Sequence, residues 1–180
     1  MPSRSDAIIK RQQLLPTTIR HASRCIARQL PHFLRSTKAI VGYYPHQNEP
    51  NLLHLYRWCQ ARHIAVYLPT WNGTDYTPQL WETLQPTSLV RGPFGILNPL
   101  PTSPVLHQGV KTVWFVPGLW FTPYGHRMGY GKGIYDRLLT QWEGIKIGIG
   151  YDWQLVDTLP QHPGDYQLNY VITNLKVEVA

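Results

Sequence analysis

The sequence is poor in cysteine, in charged residues and in long apolar runs, and each shortage excludes a class of protein. Its two cysteines, Cys25 and Cys59, have neither the C-x-x-C nor the Cys/His spacing of a metal site, and we expect reduced, structural thiols. No apolar run approaches the roughly 18 residues that a transmembrane helix requires, and no secretory apolar segment follows Met1. We therefore expect a soluble, cytoplasmic protein that does not enter a membrane.

The sequence does have the composition of a globular domain. Hydrophobic residues make up 43% and charged residues 15% of its 180 positions. A chain of this length buries roughly two thirds of its unfolded surface on folding, which supports a hydrophobic core without disulfides. We expect one domain over residues 1–180.

Acidic residues are nearly absent from the N-terminal fifth of the chain. Residues 1–38 contain eight lysines and arginines but a single acid, Asp6, so this end carries the whole net charge of +7. Three interpretations stay open: the solvated faces of two amphipathic helices, contact with an anionic ligand, or a mitochondrial targeting peptide.

The spacing of apolar residues predicts helices that alternate with short buried strands. One strand, helix and strand over residues 38–69 form a βαβ unit whose crossover length suits parallel pairing. Such alternation predicts an α/β fold, a Rossmann-like domain with a mainly parallel sheet flanked by helices. The predicted helices are residues 6–14, 16–30, 51–62 and 133–142, and the predicted strands are residues 38–44, 64–69, 111–117, 145–151 and 169–173, the last closing the sheet. Residues 71–108, rich in Pro, Thr, Gly and Asn, are expected to form loops and a short hairpin.

A glycine-rich segment, "GHRMGYGKGIYDRLL" (residues 125–139), lies between a predicted strand and a predicted helix. Gly129, Gly131 and Gly133 alternate, so the backbone can take positive φ angles and form a nest of N–H groups for an anion. In parallel sheets such loops lie beyond the carboxyl ends of the strands, where ligands bind. The segment therefore predicts a phosphate site.

Charged side chains around this loop refine the prediction. Arg127 and Lys132 supply the positive charge that a polyphosphate requires. Asp136 would repel phosphate unless a divalent cation lay between them, and Mg²⁺ binds carboxylates and phosphate oxygens together. The alternative is that Asp136 only caps the helix or pairs with Arg137.

Taken with its flanks, the glycine segment resembles a known signature. "FVPGLWFTPYGHRMGYGKGIYDRLL" (residues 115–139) is similar to that of the 5-formyltetrahydrofolate cyclo-ligase family, as are "NEPNLLHLYRWCQARHIAVYLP" (residues 48–69) and "IGIGYDWQLVDTLPQHPGDYQLNYVIT" (residues 147–173). The resemblance implies an enzyme that uses ATP and Mg²⁺ to convert 5-formyltetrahydrofolate into 5,10-methenyltetrahydrofolate, releasing ADP and phosphate. It also implies a monomer whose partners are the folate and ATP, and neither nucleic acid nor membrane.

The resemblance assigns roles to individual residues. Arg127 and Lys132 would stabilise the transferred phosphoryl group, and Glu49 would bind the folate, with Tyr44, Trp120 and Tyr130 as aromatic walls. Asp136 would hold Mg²⁺, and Asn169 stands at a second metal-linked position. The implied ATP-binding residues are Arg4, Arg127, Met128, Gly129, Tyr130, Gly131, Lys132, Gly133, Ile134 and Tyr135.

Several positions depart from the family pattern. Ile8 stands where a second N-terminal cation is usual, with Lys10 or Arg11 as substitutes. Asn169 replaces an aspartate, although Asp165 nearby matches, so we expect weaker Mg²⁺ binding than in members with both acids. The other departures are Asn51 and Leu52 in the folate segment, Thr122 for an aspartate, and Ile134 for an aromatic residue.

Two other functions are compatible with parts of the sequence. The cationic N-terminal end is typical of a basic nucleic-acid-binding domain, although no base-reading motif accompanies it. The glycine loop also suits another phosphate-handling α/β enzyme, such as a sugar-phosphate isomerase or a CoA transferase.

Overall fold

A computed structural model describes residues 2–180 and contains a seven-stranded sheet at its centre. The strand order is β11-β10-β9-β6-β1-β2-β3. All neighbours from β10 to β2 pair in parallel, while β3 and β11 add antiparallel strands at the two edges. These seven strands are β1 (Ala39–Val41), β2 (Ala65–Trp71), β3 (Tyr76–Leu80), β6 (Thr112–Pro117), β9 (Ile145–Ile149), β10 (Tyr170–Ile172) and β11 (Val177–Val179). Two small hairpins pair β4 (Val90–Arg91) with β5 (Leu97–Asn98) and β7 (Trp120–Phe121) with β8 (Arg127–Met128).

In the described part of the chain, four α-helices pack around the sheet: α1 (Arg4–Gln12), α2 (Pro16–Gln29), α3 (Leu53–Gln60) and α4 (Ile134–Gln141). Local sequence explains where they begin. Ser3 and Asp6 form a reciprocal capping box at the start of α1, and Pro16 occupies the first turn of α2. The mainly parallel sheet flanked by helices confirms the predicted α/β fold class.

The sheet is covered on both faces, as parallel sheets require. Alternation along β1 divides the core: Ile40 packs with the apolar residues of α2 and α3, whereas Ala39 and Val41 pack with those of α4. Helix α2 buries Ile26 in the first of these clusters. The cationic N-terminal helices are therefore integral to the folded domain.

The predicted last strand does not close the sheet, because β11 follows it. Residues 173–176 form a tight turn in which the Thr173 hydroxyl accepts hydrogen bonds from two backbone N–H groups, and this turn returns the chain as an antiparallel edge strand. A strand of three residues, such as β11, is too short to be recognised from the periodicity of its apolar residues.

The predicted middle loop also contains a strand of the main sheet. Strand β3 includes Pro78, which removed the strand signal from the sequence but is compatible with an edge position. The short hairpin expected in this region is confirmed by β4 and β5. Strands β7 and β8, by contrast, lie inside a segment predicted to be loop.

Strand β1 is shorter than predicted because its continuation bonds to a side chain. The Tyr43 N–H donates to the Tyr56 hydroxyl at 3.0 Å, and a Cβ at Gly42 would collide with that hydroxyl. Both cysteines are free and lie in helices, as expected. Among the described residues, no helix is long and apolar enough to cross a membrane.

Candidate active site

The glycine loop lies beyond the carboxyl end of β6, between the β7–β8 hairpin and α4. Two residues separate the end of β6 from β7, and a hydrogen bond from the Leu119 N–H to the Met128 carbonyl, at 2.8 Å, extends the pairing of β7 with β8. Residues 129–133 then lead directly into α4, whose N-cap is Gly133. This is the position in which parallel α/β sheets bind ligands.

Glycine is required at the three positions of this loop for two different structural reasons. Gly131 and Gly133 have φ angles of 82° and 63°, a left-handed region that disfavours other residues. Gly129 is not left-handed; a Cβ there would collide with Nη1 of Arg127. The loop thus combines the expected positive φ angles with a close approach of a guanidinium group.

Two predicted cations lie at the open side of the loop. Arg4, at the start of α1, donates from Nε to the Gly129 carbonyl at 3.0 Å, and its guanidinium lies beside Gly131. Lys132 is exposed and makes no side-chain hydrogen bond or ion pair within residues 2–180. Both charges are therefore accessible to an anion in the loop.

Arg127 and Asp136 form an ion pair on the inner side of the loop. Arg127 Nη2 donates to Asp136 Oδ1 at 3.1 Å, and the two side chains are 5% and 24% exposed. Asp136 Oδ2 makes no hydrogen bond to any described residue. Arg137, the partner in one alternative given above, instead contacts Asp75 at 3.7 Å, and within residues 2–180 it forms no ion pair with Asp136.

The two predicted metal-linked positions lie in different surroundings. Asp136 lines a cavity of about 410 Å³ that Asp165 also lines. Asn169 lies at the amino ends of β9 and β10, where its Oδ1 accepts the Lys146 N–H at 2.7 Å. No contact joins Asn169 to Asp136 in the described chain.

Glu49 is a buried carboxylate in the loop between β1 and α3, with 6% of the residue exposed. Its Oε2 accepts the His46 N–H at 3.1 Å, and its Oε1 lies 3.5 Å from Nη1 of Arg11. Burial raises the pKa of Glu49 to about 7, opposed by the charge of Arg11 and by the His46 N–H. The carboxyl group therefore changes its charge near neutral pH.

Arg11, which the sequence offered only as one of two substitutes for a second N-terminal cation, lies at the centre of the site. It is 1% exposed, donates to the Tyr130 hydroxyl, and has Nη1 3.5 Å from the Gly118 carbonyl. Its only signal was its position, seven residues after Arg4 and on the same face of α1. The other candidate substitute, Lys10, lies over the ring of Trp153 at 4.7 Å, outside these contacts.

The three aromatic residues predicted to contact the folate differ in how much of each residue is exposed to solvent. Tyr130 is 44% exposed, and its hydroxyl donates to Gln47 Oε1 at 3.1 Å. Trp120 is only 8% exposed, since it packs edge-on against Trp153 and donates to the Ser3 carbonyl at 2.7 Å. Tyr44 is half-buried with its ring 5.9 Å from that of Trp81. Tyr130 thus offers the largest open aromatic surface of the three.

Residues that depart from the family pattern make local contacts. Ile8 packs in the apolar cluster around Leu119, and Ile134, the first residue of α4, packs against the apolar cluster that contains Leu138 and Leu139. Asn51 Oδ1 accepts the Leu53 N–H at 3.0 Å at the start of α3, and the Thr122 hydroxyl accepts the His126 N–H at 3.2 Å in the β7–β8 turn. Ile8 and Ile134 therefore contribute to apolar packing, and Asn51 and Thr122 accept local hydrogen bonds.

Comparisons with known proteins identify the family of the chain. A model of the 5-formyltetrahydrofolate cyclo-ligase family matches residues 3–174. A 5-formyltetrahydrofolate cyclo-ligase of Mycoplasma pneumoniae is 40% identical over 180 residues, covering 95% of this chain and 96% of the relative. The Haemophilus influenzae relative of the same name is 30% identical, covering 74% of each chain. A Mycoplasma genitalium relative matches over 63 residues, and the chain spans 38% of its length.

A solved structure supports the same assignment. The 5,10-methenyltetrahydrofolate synthetase of Aquifex aeolicus is 28% identical and superposes with a TM-score of 0.82, covering 98% of this chain and 90% of that chain. The family match and this structural likeness extend over nearly the whole chain. The chain therefore belongs to the 5-formyltetrahydrofolate cyclo-ligase family and is a ligase-type enzyme of folate one-carbon metabolism.

Proposed function

We propose that this protein converts 5-formyltetrahydrofolate into 5,10-methenyltetrahydrofolate with ATP and Mg²⁺, releasing ADP and phosphate. The observation that carries the proposal is that a phosphate-type glycine loop and a buried carboxylate meet through one residue, Arg11, which contacts both Tyr130 and Glu49. Two substrates can thus lie side by side. Family membership supplies the identity of the substrates.

The chemistry requires activation of an amide. The formyl oxygen cannot leave by itself, so the γ-phosphoryl group is transferred to it and the bond to the ADP oxygen breaks. The N10 lone pair then attacks the formyl carbon, the carbon–oxygen bond breaks as phosphate leaves, and N10 loses its proton. Both steps depend mainly on positioning and on neutralising negative charge.

The residues of the glycine loop suit the first step. Lys132 and Arg4 supply accessible positive charge at the loop's open side, where the transferred phosphoryl group gains charge in the transition state. Arg127 uses Nη2 to hold Asp136, while its Nη1 lies against Gly129 and is left for a phosphate oxygen. Gly131 and Gly133 present the backbone N–H groups.

A magnesium ion fits Asp136 by the chemistry of its donor atoms. Oδ1 is held by Arg127, whereas Oδ2 has no partner within residues 2–180 and can bind a hard cation. When bound, Mg²⁺ would neutralise phosphate charge beside Asp136. Asp165 is the second carboxylate at the same cavity, while the Asn169 oxygen is already used by a backbone N–H.

Glu49 suits recognition of the folate. In its ionised form it accepts hydrogen bonds from the N–H groups of the pterin ring, and the exposed ring of Tyr130 offers a flat surface for stacking. We further propose that the protein acts as a cytoplasmic monomer, a proposal that rests on its membership of a family of metabolic enzymes.

The experiment that tests this function follows the product directly. Protein, ATP, Mg²⁺ and 5-formyltetrahydrofolate are mixed, and absorbance of the conjugated methenyl product is recorded. The proposal expects absorbance that requires both ATP and Mg²⁺. No product with all components present, or equal product without ATP, would sink the proposal.

A further inference from the structure

Three segments that are distant in sequence meet at the buried guanidinium of Arg11. Nη2 donates to the hydroxyl of Tyr130 in the glycine loop, and Nη1 lies 3.5 Å from Glu49 Oε1 in the loop after β1. The arginine itself belongs to α1, which also contacts the glycine loop through Arg4. One side chain thus touches both halves of the site.

Further hydrogen bonds join the same segments. Tyr130 donates to Gln47 Oε1 at 3.1 Å, and Asn48 Nδ2 donates to the Arg11 carbonyl at 3.2 Å. On the other side, the Tyr151 hydroxyl donates to the Asn48 carbonyl at 2.7 Å. The loop that carries Glu49 is therefore held to α1 and to the glycine loop by side-chain contacts that a ligand can alter.

Burial makes these contacts energetically important. A buried charge that loses its partner is destabilised far more than an exposed one, so movement of Arg11 changes the charge state of Glu49. Arg11 Nε is itself buried without a hydrogen-bond partner, which leaves the guanidinium dependent on its remaining contacts. Titratable and charged groups surround Glu49 from every element packed against it. They are Arg11 of α1, Tyr43 after β1, His46 in the same loop, Tyr56 of α3, Tyr130 of the glycine loop, Tyr135 of α4 and Tyr151 after β9.

We propose that Arg11 is a positioning residue that couples nucleotide binding at the glycine loop to folate binding at Glu49, with the Tyr130 hydroxyl as the connecting group. The proposal rests on the proposed function. A nucleotide that orders the glycine loop fixes Tyr130, which holds Arg11 against Glu49 and keeps the carboxylate ionised for the folate. Because such coupling is reciprocal, folate equally favours nucleotide binding.

The first test measures binding without turnover. The Kd for 5-formyltetrahydrofolate is determined by calorimetry with and without Mg²⁺ and a non-hydrolysable ATP analogue. We expect the analogue to tighten folate binding by about fivefold or more in the unmodified protein. In Tyr130→Phe, which keeps the ring and removes only the hydroxyl, we expect the two Kd values to agree within about twofold.

A matched control distinguishes loss of the Tyr130 hydroxyl from the general effect of removing a tyrosine hydroxyl. Tyr124 lies in the β7–β8 turn, is 65% exposed, and uses only its carbonyl in a hydrogen bond. Tyr124→Phe should therefore retain the full coupling. Absence of coupling in the unmodified protein, or full coupling in Tyr130→Phe, would overturn the role of Arg11.

A second test measures how folate affinity depends on pH. The midpoint of this dependence would not change if Arg11 had only a structural role. The ionised form of Glu49 binds folate, so affinity should fall as pH drops below about 7. In Arg11→Gln the carboxylate loses its cation, and the midpoint should move to higher pH. In Arg11→Lys, which keeps the charge, the midpoint should stay while the coupling falls. An unmoved midpoint in a folded Arg11→Gln protein would contradict the proposal.

These outcomes also separate the two proposals. Unmodified protein that forms the methenyl product but shows equal coupling in Tyr130→Phe would refute the positioning role and leave the enzymatic function standing. Unmodified protein that binds neither ligand would refute the function, and with it the role of Arg11.

Discussion

Two arginine–carboxylate pairs flank the glycine loop, and they differ in burial and in what they leave free. Arg11 and Glu49 are almost wholly buried and 3.5 Å apart, while Arg127 and Asp136 are closer, at 3.1 Å, with the carboxylate 24% exposed. Burial raises the pKa of Glu49 to about 7. Asp136 keeps one oxygen without a hydrogen-bond partner among residues 2–180. Under the proposed function, the first pair would supply a folate-recognition carboxylate that changes its charge near neutral pH, and the second would supply a cation ligand beside the nucleotide.

The largest expected effect comes from Lys132, the loop cation that neither pair holds. Lys132→Ala should lower kcat by about 10²–10³-fold, because removing one preorganised donor from a transition-state charge costs this much in other enzymes. The side chain is exposed, so the variant should keep the thermal stability of the unmodified protein. Turnover and a melting curve measure the two quantities. Unfolding of the variant would assign Lys132 a structural role instead.

The second prediction breaks the nucleotide-side pair. Asp136→Asn keeps the shape but loses the charge, and we expect kcat to fall by about 10²-fold with a higher Mg²⁺ concentration for half-maximal rate. Asp75→Asn is the matched control, since it breaks a more exposed pair with Arg137 in which the atoms are 3.7 Å apart. Equal loss in the two variants would show that ion pairing as such, and not the metal, explains the effect.

The third prediction tests the folate-side pair through stability. The pKa of Glu49 is about 7 in the folded state against 4.5 when unfolded, so between these values the folded protein holds a proton that the unfolded chain has lost. Stability should therefore decline as pH rises through this window and stay level above it. Glu49 should therefore change the free energy of unfolding across this window by on the order of 3 kcal/mol, since each unit of pKa difference corresponds to about 1.4 kcal/mol. The difference between unmodified protein and Glu49→Gln, by denaturant unfolding across the window, isolates it; parallel curves would contradict the assignment.

The smallest expected effect lies at Asn169, outside both pairs. Asn169 Oδ1 already accepts a backbone N–H apart from Asp136, so Asn169→Asp should change Mg²⁺ activation little, and a several-fold strengthening would instead support the metal-linked role that the resemblance implies. The contact of Asn169 Oδ1 with the Lys146 N–H can be made by aspartate as well, so folding should be unaffected. A titration of rate against Mg²⁺ measures the change. An unaltered midpoint would leave Asp136 and Asp165 as the acids of the nucleotide side.

The parts of this molecule that sequence predicts are those governed by local pattern. Alternating apolar runs located the central parallel strands, and the spacing of Gly129, Gly131 and Gly133 located the loop and the start of α4. The sequence did not show that Gly129 has a different role from Gly131 and Gly133, because the close approach of Arg127 to Gly129 depends on tertiary structure.

Sequence could not predict features that arise from distant contacts. The sequence pattern did not distinguish Arg11 from Lys10, because the burial of Arg11 depends on α1 meeting two loops more than thirty residues away. The same holds for Arg127 and Asp136, whose pairing is set by the β7–β8 hairpin, formed by two-residue strands. At the sheet edges, β3 and β11 carry too few apolar residues for periodicity to distinguish them from loop.

The central claim is that the two pairs serve two different ligands, and separate binding measurements test it most directly. Calorimetry with one ligand at a time is applied to Glu49→Gln and Asp136→Asn. The account predicts that Glu49→Gln weakens 5-formyltetrahydrofolate binding about tenfold or more and leaves the Mg²⁺–ATP analogue unaffected, while Asp136→Asn does the reverse. Equal weakening of both ligands by both variants would contradict it.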